Sequence, residues 1–118
     1  MRKQVESQHQ KALFQWIRLK QNEDKRYSKI FAVPNGGKRD IKTATNLKLE
    51  GVKAGVWDIF IPIPHKGFSG MFIEMKANNN KLTKHQKAFR DGLEELYNFE
   101  VCYNWLEAKE VIESYLRK

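Results

Sequence analysis

The sequence predicts an α/β fold: a mixed four-stranded sheet flanked by helices, with elements in the order α-β-α-β-β-α-β-α. Three observations carry that expectation. Apolar residues recur at helical spacing early in the chain, after Thr83 and again near its end. Short runs rich in Ile, Phe and Val lie between those segments, and clusters of Pro, Asn and Gly punctuate the runs. With 118 residues and 41% apolar composition, the chain suits one domain over 1–118, because two would each have a marginal core.

Residues 3–22 read as the first helix, with Leu13, Trp16 and Ile17 on one stripe. The run YSKIFAV at 27–33 reads as a strand closed by Pro34 and the turn-formers Asn35, Gly36 and Gly37. A second helix is expected over 40–50, stopping at Gly51. VWDIFIPI at 56–63 and GMFIEMK at 70–76 form a hairpin around Pro64, His65, Lys66 and Gly67. Thr83 and Gln86 make a capping-box pattern that opens a helix from 84 to about 97, with Phe89, Leu93 and Leu96 as its apolar stripe. FEVCY at 99–103 is the fourth strand. Asn104, with Glu107 three residues on, opens the last helix, whose stripe is Ala108, Val111, Ile112 and Tyr115.

Composition excludes several classes. No run approaches the roughly 18 apolar residues of a membrane span, and MRKQVESQHQ has no apolar signal core, so an intracellular, cytoplasmic protein is expected. One cysteine, Cys102, rules out a disulfide framework and a zinc site of paired cysteines. Residues 1–55 hold 13 Lys/Arg against 5 Asp/Glu, whereas 56–118 hold 9 against 9, so the whole net charge of +8 lies in the first half. Such a basic face is either plain solvation or the footprint of a polyanion, of which nucleic acid is the commonest.

Two acids interrupt the apolar hairpin. Asp58 and Glu74 each lie eight residues from Lys66, so they face each other across the ladder at Cβ separations of about 5 Å. Opposed carboxylates repel unless a cation sits between them, and oxygen donors of this kind suit Mg²⁺ or Mn²⁺. Strand alternation puts Lys76 on the face of Glu74, while Met71, Ile73 and Met75 point to the core. A solvated sheet face with a stray ion pair remains the simpler alternative. Glu6 falls on the stripe of Leu13 and Ile17, either at a frayed helix start or directed into a site; His9 shares that stripe and suits packing or capping. The histidines His9, His65 and His85 lack the strand-borne placement that a His-Asn-His nuclease needs.

These residues resemble the VRR-NUC domains of the PD-(D/E)XK nuclease superfamily. The matching pieces are Gly51, Gly55-Val-Trp-Asp58, Ile73-Glu74-Met75-Lys76 and Leu82-Thr83-x-x-Gln86, together with Pro34-Asn35-Gly36 and the early helical Glu6. The resemblance implies a restriction-endonuclease-like core. It also implies that Asp58, Glu74 and the backbone carbonyl of Met75 hold a divalent metal. Lys76 would activate the attacking water and steady the phosphate, Glu6 would serve a second metal or its waters, and Gln86 would orient Lys76 or the nucleophile. One departure is visible: Trp57 stands where the superfamily has proline, which bears on local geometry more than on ligation.

The resemblance further implies a DNA endonuclease of stand-alone type, often phage-encoded and then working in the host cytoplasm, some of whose relatives resolve four-way junctions. Asn35, Gly36, Lys38, Arg39, Lys42, Lys48 and Lys53 are the expected DNA-binding residues. Two symmetric cuts at a branch require paired sites, so a homodimer is expected, with Phe68, Met71, Phe72 and Trp105 as interface candidates. A nucleic-acid-binding domain without catalysis, an interaction domain of a larger nuclease complex, and a nuclease with no junction preference are the alternatives.

Overall fold

A computed structural model describes residues 2–34 and 41–117. The elements are α1 (Arg2–Lys20), β1 (Phe31–Ala32), α2 (Ile41–Leu49), β2 (Ile59–Ile61), β3 (Gly70–Met75), α3 (Lys84–Arg90), β4 (Tyr97–Cys102) and α4 (Trp105–Leu116). The strands form one mixed sheet in the order β1-β2-β3-β4, antiparallel except for the β3–β4 pair. The expected element order and fold class hold.

One face of the sheet carries Ile59, Ile61, Met71, Ile73 and Met75 against Leu13 and Ile17 of α1 and Ala108, Ile112, Tyr115 and Leu116 of α4, all buried. That is the aliphatic core, and burying such side chains is the main driving force for the fold. The other face is aromatic. Phe60 stacks on Phe72 at 4.5 Å, Phe72 on Phe99 at 5.2 Å, and Phe89 of α3 meets Phe72 edge-on at 5.3 Å. By alternation, Glu74 and Lys76 continue this aromatic face. Met71 and Phe72 are therefore internal, which leaves only the partly buried Phe68 and Trp105 of the interface candidates.

Several boundaries differ from the sequence reading, each for a local reason. Residues 27–29 are not strand: a 3-10 turn runs from Lys25 to Lys29, capped by the Asp24 side chain, which accepts the Arg26 amide at 3.1 Å. Tyr27 is then buried edge-on to Trp16 at 5.5 Å, and only Phe31–Ala32 remain as strand. Strand β2 is three residues rather than eight, because Pro62 and Pro64 offer no amide donor and the Asp58 amide turns to a side chain. Helix α3 stops at Arg90, where Gly92 adopts φ +89°, and Leu96 is exposed rather than on a helical stripe. Strand β4 starts two residues early, at Tyr97.

The hairpin register is the expected one. Ile59 pairs with Ile73, Phe60 with Phe72 and Ile61 with Met71, which continues to Asp58 opposite Glu74. At the turn, Lys66 (φ 52°) and Gly67 (φ 85°) link the bridged pair His65 and Phe68. Between that bridge and the Ile61–Met71 pair the first arm uses one residue more than the second, so Pro62–Pro64 contain a β-bulge.

Candidate active site

The site lies where β2 stops and β3 runs on. Asp58, half-buried, precedes β2, and Glu74, 4% exposed, sits opposite it on β3. Each carboxylate accepts an amide of the other strand: the Asp58 N–H donates to Glu74 Oε1 at 3.1 Å, and the Met75 N–H donates to Asp58 Oδ2 at 2.9 Å. Side chains thus replace the ladder at this point, which opens the sheet edge while holding both acids in place. The Met75 carbonyl leaves the strand on the same edge as its amide, towards Asp58. On the opposite edge Lys76 N–H stays bonded to the Cys102 carbonyl at 2.9 Å, so β3 remains anchored to β4.

Lys76 is 9% exposed, and its Nζ lies 3.6 Å from Glu74 Oε2. Gln86 plays two parts at once. Its Oε1 accepts the Thr83 amide at 2.9 Å and completes the capping box, while its Nε2 donates to Glu74 Oε2 at 2.6 Å. The capping and site readings of this residue are therefore compatible. Glu6 Oε2 accepts the Ala77 amide at 3.1 Å, just past Lys76, so α1 does reach this end of β3. His9 Nδ1 accepts the Trp105 amide at 3.2 Å and caps α4.

Trp57 has a part that the sequence does not disclose. It is 1% exposed, its ring packs edge-on to Phe99 at 4.9 Å, and its Nε1–H donates to the Gln86 carbonyl at 3.0 Å. The side chain next to Asp58 thus ties down the backbone of the residue that holds Glu74.

The electrostatics follow from burial. Desolvation first, then the Asp58 charge, push the Glu74 carboxyl up to about 8, with Lys76 and the Asp58 amide opposing and Glu6 adding. Asp58 is raised mainly by burial and further by Glu6, against the Met75 amide, Lys76 and a side-chain hydrogen bond with Glu74. A buried and a half-buried acid that resist joint ionisation, beside an outward carbonyl, form an all-oxygen donor set that suits a hard divalent cation. Among the described residues no three His, Cys, Asp or Glu side chains form a ready metal cluster.

Of the expected DNA-binding residues, Asn35, Gly36, Lys38 and Arg39 lie outside the described residues. Lys42, Lys48 and Lys53 are exposed on and after α2. Lys81, Lys84 and Lys87, which the first-half charge excess does not single out, are exposed around α3. Among the described residues no helix is long and apolar enough to cross a membrane.

An α/β sheet carrying an acid pair, a lysine two residues on and a glutamine on the following helix defines a nuclease-type domain. The VRR-NUC domain model matches residues 2–105, and the chain belongs to that family. A solved structure described as a VRR_NUC domain protein superposes with a TM-score of 0.80 at 27% identity, covering 96% of this chain and 88% of that one. No curated protein matches the chain significantly.

Proposed function

We propose that residues 1–118 form one nuclease domain, a divalent-metal-dependent DNA endonuclease that cuts branched DNA such as four-way junctions, working as a homodimer in the cytoplasm. The observation that carries this reading is the Asp58–Glu74 pair, each acid bonded to the other's strand, with Lys76 Nζ 3.6 Å from Glu74. In this reading Asp58, Glu74 and the Met75 carbonyl hold Mg²⁺ or Mn²⁺, and Glu6 serves a second ion or its waters. The bound cation supplies an activated water and offsets charge developing on the phosphate.

The chain's own residues do the rest. Lys76 directs its ammonium at the phosphate oxygens and the incoming water, a cation held by burial where charge develops. Gln86 fixes the Glu74 carboxylate, and Trp57 fixes Gln86. A water oxygen bonds to phosphorus, one P–O ester bond breaks, and the departing sugar oxygen takes up a proton. Lys42, Lys48 and Lys53, with Asn35, Gly36, Lys38 and Arg39, hold the backbone without reading sequence.

The test is a cleavage panel with Mg²⁺, Mn²⁺ or EDTA on linear duplex, single-strand, flap and four-way DNA, with sedimentation at micromolar protein. The expected result is metal-dependent cutting, strongest on the four-way substrate, by a dimer. Binding without cutting under every condition would leave a DNA-binding domain instead. Equal cutting of linear and four-way DNA, or a strict monomer, would remove the junction reading and leave a generic nuclease.

A further inference from the structure

A cleft of about 660 Å³ opens between α2 and α3, lined by Ala44, Leu47, Lys48, Val52, Lys53 and His85. Its size falls within the roughly 300–1,000 Å³ range of small-ligand sites. Its chemistry is two-sided. Leu47, Val52 and Ala44 offer an apolar wall, and Lys48 and Lys53 stand exposed beside it. Helix α2 buries none of its residues, and Val52 stays 41% exposed, so this wall is not satisfied by the described part of the chain itself.

The cleft is also joined to the site. Gly55, at φ +91°, lies so close to α3 that a Cβ there would collide with the His85 carbonyl. The loop after α2 therefore rests directly on the first turn of α3. His85 lines the cleft, and the next residue, Gln86, donates to Glu74.

We propose that this cleft binds one unpaired nucleotide of the strand that is cut, base against the apolar wall and flanking phosphates on Lys48 and Lys53. Apolar side chains facing a base need that base unstacked, since a paired base within a duplex offers only its edges. The positive charge of the cleft matches a nucleic acid and not a basic or neutral peptide. The inference rests on the nuclease reading and deepens it: a nucleotide unpaired at a flap, or opened from its pair at a branch point, would enter beside the acid pair, which gives a physical origin for preferring branched DNA.

Fluorescence anisotropy in EDTA tests this, using a labelled single-strand oligonucleotide, the same strand with consecutive abasic sites, and the matching duplex. Wild type is expected to bind the intact strand more tightly than the abasic one. Val52→Asn and Leu47→Asn, both uncharged changes on the apolar wall, are expected to weaken intact-strand binding about tenfold and to abolish that discrimination, because what they remove is apolar packing against the base. Circular dichroism checks that both variants remain folded. Undiminished discrimination in both variants overturns the cleft assignment, and so does a change of oligomeric state with unchanged affinity, which would make the cleft a protein interface. If the base preference and its loss appear but no metal-dependent cutting does, the cleft stands and the nuclease reading fails. Binding to none of the three DNAs overturns both.

Discussion

Asp58→Asn is the substitution that tests the acid pair most directly. The asparagine Oδ1 can accept the Met75 amide as Asp58 Oδ2 does at 2.9 Å, while its amide group faces Glu74 with a donor instead of a charge. With its folded pKa near 8, Glu74 keeps a proton that the unfolded chain has given up. Its contribution to stability is thus complete below the ordinary carboxylate range and is lost as pH rises through about 8. From 4.5 to about 8, this linkage has a ceiling of about 5 kcal/mol, and burial is its largest cause.

The share due to Asp58 is smaller. Two unit charges about 5 Å apart at an effective dielectric near 20 repel by ~3 kcal/mol. The Met75 bond weakens by ~1 kcal/mol when its acceptor is no longer charged. Asp58→Asn should therefore stabilise the metal-free protein by ~1–2 kcal/mol near pH 9, or about 4–8 °C in Tm, and should instead cost up to ~1 kcal/mol near pH 5, where Glu74 is protonated and only the weakened Met75 bond is felt. Thermal melts in EDTA across that range measure this. Adding Mg²⁺ near pH 8 should raise the Tm of wild type and leave the variant nearly unmoved. A gain that is the same at both pH extremes, or a loss near pH 9, would refute the argument that charge repulsion dominates here.

Other outcomes follow from the same geometry. Lys76→Ala should lower the single-turnover rate by about 10²–10⁴-fold with little change in DNA affinity, and equal loss of both would assign Lys76 to binding. Trp57→Phe keeps the ring against Phe99 but removes the donor to the Gln86 carbonyl; stability should fall by ~1–3 kcal/mol, with a several-fold drop in rate at unchanged DNA affinity, and full activity would show that the tether is dispensable. Reversing charge at Lys42 and Lys48 should weaken binding and flatten its salt dependence by about 0.9 in log–log slope for each phosphate no longer neutralised, measured by anisotropy across a salt series.

The acid pair is legible in the sequence because strand alternation is a rigid rule, although counting from Lys66 succeeds only because the bulge at Pro62–Pro64 offsets a turn centred between Lys66 and Gly67. Thr83, Gln86 and Asn104 are legible because capping is local. The 3-10 turn at Tyr27 is not, because aromatic and β-branched residues mimic a strand, and the Asp24 cap decides the matter. Trp57 shows in the sequence only as a departure from the superfamily, since its partner is a backbone carbonyl 29 residues away. The early end of α3 is hidden because Leu93 and Leu96 keep helical spacing although Gly92 has already turned the chain.

The bulge at Pro62–Pro64 has a consequence for how this site can be lost. A two-residue turn with arms of equal length would pair Asp58 with Met75 and leave Glu74 on the opposite face of the sheet. The odd residue in the first arm restores the parity that lets the acids meet. Their meeting is therefore an arithmetic property of the hairpin as much as a chemical one. Removing Ser69 from the second arm would leave the first arm two residues longer, forcing the hairpin to give up either its turn or the register that sets Asp58 opposite Glu74. A deletion that touches no acidic residue, at the far end of the hairpin, can thus disarm the centre while every residue proposed to act there is still encoded.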